Sequence, residues 1–117
     1  MKLFDSELKI LDVLWEEGDT TAKQIARTLN KKTGWSKTTT YTVIKKCIDK
    51  GAVSRDEPDF ICHAMVSREE VQETETSELI NKMYKGMPDK LVAAILGQNK
   101  LSQDEIKKLK SLIRKLS

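Results

Sequence analysis

Trp35–Gly51, WSKTTTYTVIKKCIDKG, reads as one helix with two unlike faces. Ser36 suits the N-cap, because its hydroxyl can accept from a free N–H of the first turn. Thr40, Val43, Ile44, Cys47 and Ile48 recur at i, i+3, i+4, i+7 and i+8, so one face is buried. Gly51 follows where the chain needs a left-handed stop. The opposite face carries Thr38, Tyr41, Thr42, Lys45 and Asp49, flanked by Lys37 and Lys46. Hydroxyls and cations near a helix N-terminus are the groups that reach base edges and phosphates in the major groove of DNA. An ordinary surface helix with a basic outer face has the same pattern, so its surroundings must decide.

Upstream, Thr21 and Gln24 form a T-x-x-Q capping box. It opens a helix that ends near Lys32 and has Ile25, Ala26 and Leu29 as its core face. Thr33–Gly34 then turns the chain into the Trp35 helix. Two short helices and a tight turn, the second basic and hydroxyl-rich, make a helix-turn-helix. A first helix, from Asp5 or Ser6 to Glu17, supplies the third side of the core. Leu8, Leu11, Leu14 and Trp15 form its stripe, Ile10 lies at the edge and Gly18 is its stop. Asp19–Thr21 is a short link or a brief strand.

Downstream of Gly51 the pattern changes to two strands, Ala52–Asp56 and Phe60–Val66. Pro58, between Glu57 and Asp59, suits the second position of a type I turn. Three helices and a hairpin make a winged helix-turn-helix, closed by residues 1–66. Residues 67–117 read as three amphipathic helices. Ser67–Glu70 caps the first, which runs through Val71, Leu79, Ile80, Met83 and Tyr84 up to Gly86. Pro88 opens the second, with Leu91, Val92, Ile95 and Leu96 as its apolar set and Gly97 as its stop. Ser102–Glu105 caps the third, which carries Ile106, Leu109, Leu112, Ile113 and Leu116 at nearly a/d spacing. Three short helices cannot shield all this apolar surface alone. A second copy of the chain is the simplest cover. The fold class expected is therefore mainly α with a small β-hairpin: a winged helix-turn-helix domain followed by a C-terminal helical dimerisation arm.

Charge is unevenly spread. Residues 1–19 hold two bases, Lys2 and Lys9, against six acids, Asp5, Glu7, Asp12, Glu16, Glu17 and Asp19. Residues 23–50 hold eight bases, Lys23, Arg27, Lys31, Lys32, Lys37, Lys45, Lys46 and Lys50, against Asp49 alone. That local excess is the footprint of a face that meets a polyanion. No long apolar run suggests a membrane span, and the first residues lack a signal-peptide core, so a cytoplasmic location is expected. Cys47 and Cys62 are expected to be reduced and buried there, Cys47 serving as a small core residue, with a redox sensor as the alternative.

No glycine-rich phosphate loop, nucleophile elbow or zinc signature appears, so nothing supports an enzyme or a bound cofactor. His63 follows Cys62, and strand neighbours point to opposite faces, which argues against a metal pair and for a structural histidine. Met65, Met83 and Met87 have no ligand spacing. The acids Glu69, Glu70, Glu73, Glu75 and Glu78 read as a solvated face.

Several segments together resemble the family of penicillinase and methicillin-resistance repressors, which also contains copper-responsive repressors. They are Leu14–Trp15, TTAKQIARTL, GWSKTTTYTVIKKCIDKG, SELINKMYKG and LSQDEIKKLKSLI. Trp35–Ser36, Thr39, Thr42 and Lys50–Gly51 fit its recognition-helix signature. Asn81–Lys82, Tyr84–Lys85–Gly86 and Leu101–Ile106 fit its C-terminal part. The resemblance covers essentially the whole chain. It implies a homodimeric transcriptional repressor whose winged helices bind the two half-sites of a double-stranded DNA operator. In the resistance branch a membrane sensor's signal leads to cleavage between an Asn and a Phe, where Ala94 and Ile95 stand here. In the copper branch a Cys-rich C-terminal motif senses metal, and this chain has no cysteine after Cys62. Family wings commonly carry bases near the tip, but here the tip reads Asp56–Glu57–Pro58–Asp59, which would repel phosphate.

The expected groove-facing set is Lys37, Thr38, Thr39, Tyr41, Thr42, Lys45 and Lys46. Thr38, Tyr41 and Thr42 are the candidates for base contacts; Lys37, Lys45 and Lys46 are those for phosphate. Arg55 is the single wing residue expected to reach the backbone. The expected dimerisation set is Leu79, Ile80, Met83, Tyr84, Leu91, Val92, Ile95, Leu96, Ile106, Leu109, Leu112 and Ile113. Two alternatives remain: a winged helix used for protein contact, and a repressor that senses a small ligand or a redox change through its helical arm.

Overall fold

The first helix begins at a carboxylate that caps its own backbone. In the computed structural model, which describes residues 1–98 and 100–116 without the side chains of Ile113 and Leu116, the N–H of Phe4 donates to Glu7 Oε1 at 2.8 Å. From there α1 runs Asp5–Glu17 and stops at Gly18, whose φ is 81°. Ile10, Leu11, Val13 and Leu14 are buried, while Leu8 and Trp15 are half-buried. The buried face is therefore rotated from the expected stripe. Ile10 is wholly enclosed rather than marginal, and Val13 joins it, because the next two helices and the hairpin all pack on α1.

Thr20–Thr21 is a brief strand, β1, and α2 follows as Ala22–Thr33. Thr21 Oγ1 accepts the Gln24 N–H at 3.1 Å, but the Gln24 amide turns away to Thr28 Oγ1, so half of the capping box forms. Ala22, Ile25, Ala26 and Leu29 are buried. α3 spans Lys37–Asp49. Ser36 Oγ accepts the Thr39 N–H at 3.1 Å, and Gly51 leaves the helix at φ 81°. Thr40, Val43, Ile44 and Cys47 are buried and Ile48 half-buried, which places α3 against both α1 and α2.

β2 (Val53–Asp56) and β3 (Ile61–Ala64) are each shorter than expected and form the hairpin. β1 adds to its free side, giving an antiparallel sheet in the order β1-β3-β2. The register pairs Val53 with Ala64 and Asp56 with Ile61 on one side of β3, and Thr20 with Cys62 on the other. The connection is not the type I turn expected from Pro58. Its Glu57–Pro58 peptide is cis, and Phe60 closes the turn at φ 52°.

The chain divides into two compact units, Met1–Gln72 and Glu73–Ser117. α4 (Arg68–Met83) begins in the first unit. Its capping box closes with the Glu70 N–H on Ser67 Oγ at 3.0 Å and the Ser67 N–H on Glu70 Oε1 at 3.3 Å. The Trp15 Nε1–H donates to the Val66 carbonyl at 2.9 Å, and Val71 packs on the core. The second unit holds the rest of α4, α5 (Pro88–Gly97) and α6 (Gln103–Leu116). Gly97 is the last residue inside α5 rather than its stop, and Gln98 is the cap. The Ser102–Glu105 box forms with both hydrogen bonds, at 3.0 and 3.1 Å. Among the described side chains from Arg68 onward none is buried.

One ion pair is enclosed in the first unit. Lys50 Nζ lies 2.6 Å from Glu7 Oε1, and the Glu7 side chain is 1% exposed. Lys50 also donates to the Lys2 carbonyl at 2.8 Å and covers the Phe4 ring at 4.2 Å. Burial pushes the Glu7 carboxyl up, but the hydrogen bonds from Lys50 and Phe4 and the charges of Lys50 and Lys46 outweigh it, and its pKa falls below the ordinary value. A carboxylate depressed by folding contributes stability above its unfolded pKa and loses it as pH falls through the folded value.

Lys50→Met is expected to destabilise the first unit by about 3 kcal/mol at neutral pH, because it strands a buried carboxylate. Denaturant unfolding followed by Trp15 and Trp35 fluorescence measures it. The deficit should shrink as the pH is lowered and Glu7 takes up its proton. Thr40 Oγ1 is buried without a hydrogen-bond partner among the described residues. Thr40→Val is accordingly expected to raise stability by about 1 kcal/mol in the same assay.

Candidate nucleic-acid interface

The turn between α2 and α3 is held by its own side chains. Thr33 Oγ1 donates to the Leu29 carbonyl at 2.7 Å and accepts the Trp35 N–H at 3.3 Å. Asn30 Nδ2 donates to the Trp35 carbonyl at 3.0 Å. Gly34 adopts the left-handed conformation, φ 76°, that lets α2 end and α3 start within three residues. Because the stripe of α3 is buried, its other face has one orientation only. Lys37, Thr38, Thr39, Thr42, Lys45 and Lys46 all stand exposed on it.

Two hydroxyls of this set have local partners. Thr39 Oγ1 accepts from Ser36 Oγ at 3.0 Å. Thr42 Oγ1 donates to the Thr38 carbonyl at 2.9 Å and keeps its lone pairs for an incoming donor. Tyr41 differs from the rest: it is half-buried, edge-to-face against Phe60 with centroids 5.8 Å apart, and Lys37 Nζ lies 5.5 Å from its ring. The reading of the sequence missed this coupling of α3 to the hairpin. The pattern of its neighbours places Phe60 at the start of a strand, and nothing in it signals a residue turned back onto the helix.

The hairpin is acidic and internally paired. Arg55 stacks its guanidinium 3.6 Å from the Phe60 ring centroid and forms an ion pair with Glu57. His63 lies between two carboxylates, with Nδ1 2.7 Å from Asp19 Oδ2 and Nε2 2.7 Å from Asp56 Oδ2. The hydrogen bonds and charges of Asp19 and then Asp56 raise its pKa above the ordinary value. The structural role expected of His63 thus has a form: it clasps the link before α2 to β2. Both thiols are enclosed. Burial, with the Glu7 charge, pushes Cys47 up to about 12, and burial pushes Cys62 up to about 11. Neither provides the exposed thiolate that a redox sensor needs.

The profile of the penicillinase repressor family matches residues 3–115. The chain belongs to the penicillinase repressor family. It is similar to the methicillin resistance regulatory protein MecI of Mammaliicoccus sciuri, at 27% identity over 116 residues, 97% of this chain and 94% of that protein. It is also similar to the penicillinase repressor of Bacillus licheniformis, at 24% identity over 114 residues, 96% of this chain and 89% of that protein. Among solved structures, the DNA-binding domain of the repressor BlaI superposes with a TM-score of 0.54 at 22% identity, covering 59% of this chain and 87% of that one. The likeness shows a winged-helix fold. The family is one of repressors, not enzymes. Among the described residues of this member, no helix is long and apolar enough to cross a membrane.

Since folding raises the His63 pKa, the clasp contributes stability below the unfolded histidine value, near 6.5, and loses it as pH rises through the folded value. Proton NMR should place the His63 midpoint above 6.5. Asp19→Asn should lower it, and by more than Asp56→Asn does. A midpoint at or below 6.5 in the unaltered protein would show that the clasp does not form.

Proposed function

We propose that this member of the penicillinase repressor family is a homodimeric transcriptional repressor that reads a two-half-site DNA operator through α3. One observation carries the reading: the apolar stripe of α3 is sealed inside the first unit, which leaves its lysine and threonine face turned outward. Thr38 and Thr42, with Tyr41 steadied by Phe60, supply base contacts. Lys37, Lys45 and Lys46 hold phosphates. Arg55, already engaged by Glu57 and Phe60, contributes little, and the acidic tip stands away from the backbone.

The second unit supports the dimer. Leu79, Met83, Ile95, Leu96 and Leu112 are exposed, while Ile80, Tyr84, Leu91, Val92, Ile106 and Leu109 are half-buried. A recess of about 270 Å³ opens among Ile95, Leu101, Glu105, Lys108, Leu109 and Leu112. A second copy of residues 67–117 offers matching apolar surface, and the boundary after residue 66 gives each copy one winged helix. Two α3 helices should then lie roughly 34–36 Å apart, one DNA turn, or a multiple of it. Ala94–Ile95 in place of Asn–Phe argues for release by a signal other than that cleavage.

Selection from random duplexes should return a paired half-site motif, and sedimentation should give twice the chain mass. Thr42→Ala is expected to weaken binding about tenfold, the scale of one base contact, and to relax the preference at its position. Lys46→Ala should weaken all duplexes alike and reduce the salt slope by about one. If both variants bind as the unaltered protein does, α3 is not the reading helix. A flat salt response, or no duplex binding, would favour a winged helix that docks on protein.

A further inference from the structure

A second basic surface lies beside α3 and shares only Lys37 with the set assigned to the groove. Lys23, Ala26, Arg27 and Asn30 of α2 and Lys37 at the start of α3 line a recess of about 250 Å³. No acidic residue lines it, and neither Lys23 nor Arg27 makes an ion pair among the described residues. Asn30 is pinned to the Trp35 carbonyl, so the wall where the two helices meet is fixed.

This arrangement is unfavourable in the free protein. Lys23 and Arg27 are four residues apart on one helix, where like charges repel. Lys23 and Lys37 each sit in the first turn of a helix, where the backbone dipole disfavours a cation. The other four helices have acids in their first turns, whereas α2 and α3 have none. Three cations gathered without a counter-charge await an anion. The first helix of a helix-turn-helix crosses the DNA backbone while the second lies in the groove, which makes a phosphate the anion at hand. The guanidinium of Arg27 has the fork geometry that matches two phosphate oxygens. The hairpin cannot serve instead, since Asp56, Glu57 and Asp59 crowd its end and Arg55 is paired.

We propose that the α2–α3 recess is a phosphate clamp, in which Arg27, with Lys23 and Lys37, grips one backbone phosphate of the duplex that α3 reads. The proposal rests on the DNA-binding function above. The clamp supplies on the α2 side the backbone hold that the acidic wing does not give.

The test compares the full chain with Arg27→Gln, Lys23→Gln, Arg27→Lys and Lys32→Gln, binding to the selected operator and to a scrambled duplex over a range of KCl. Lys32 is the control: it lies on the same helix, outside the recess, paired with Glu16 at 3.4 Å. Arg27→Gln should make the slope of log K against log salt shallower by about 0.9, the value for one lost phosphate contact. It should weaken operator and scrambled duplex by the same factor. Lys23→Gln should act in the same direction, while Arg27→Lys and Lys32→Gln keep the original slope. Unchanged slopes in both Arg27→Gln and Lys23→Gln, with the unaltered protein binding steeply, would overturn the clamp and leave the repressor reading intact. Weakening confined to the operator would also overturn it, because Arg27 would then be reading bases. If the unaltered protein binds no duplex, both readings fail together.

Discussion

The contact between Glu7 and Lys50 ties the start of α1 to the end of α3 inside the core. Removing the Glu7 carboxylate from water costs several kcal/mol, and that cost is offset only when its partner meets it in good geometry and its other bonds are filled. Here they are: Glu7 also takes the Phe4 N–H, and Lys50 also takes the Lys2 carbonyl. The buried stripe of α3 settles the direction in which its threonines and lysines face. The ion pair adds a fixed point between the end of α3 and the start of α1.

Much of this was legible because it is local. Ser36, Ser67 and Ser102 each cap a helix through the third residue on, a pattern set within four residues of chain. The stripe of α3 was legible for the same reason. What escaped depends on contacts between elements. Glu7 counted as one acid in an acidic segment, and nothing adjacent marks it as buried. The face of α1 shifted toward Ile10 and Val13 because α2, α3 and β3 all pack on it. Half of the Thr21–Gln24 box was lost because Thr28 offered the Gln24 amide another partner.

The outward face of α3 shows the same division. Exposure of Thr38, Thr42, Lys45 and Lys46 followed from periodicity alone. The half-burial of Tyr41 did not, since it requires Phe60 to fold back from the hairpin turn. Charge is also segregated by tertiary structure. Asp56 and Glu57 of the hairpin are occupied by His63 and Arg55, whereas Lys23 and Arg27 of α2 and Lys45 and Lys46 of α3 make no ion pair among the described residues. A count of charges along the chain reports the excess but not this separation.

The helices after Gln72 expose leucines and methionines and enclose none of their described side chains. Such a segment takes its order from whatever molecule shields it, and linkage makes that order grow with the logarithm of the shielding molecule's concentration. If a second copy is the shielding molecule, as proposed, abundance becomes an input in its own right: dilution would loosen the tail before any signal arrives, and a cell would weaken control simply by making less of the protein.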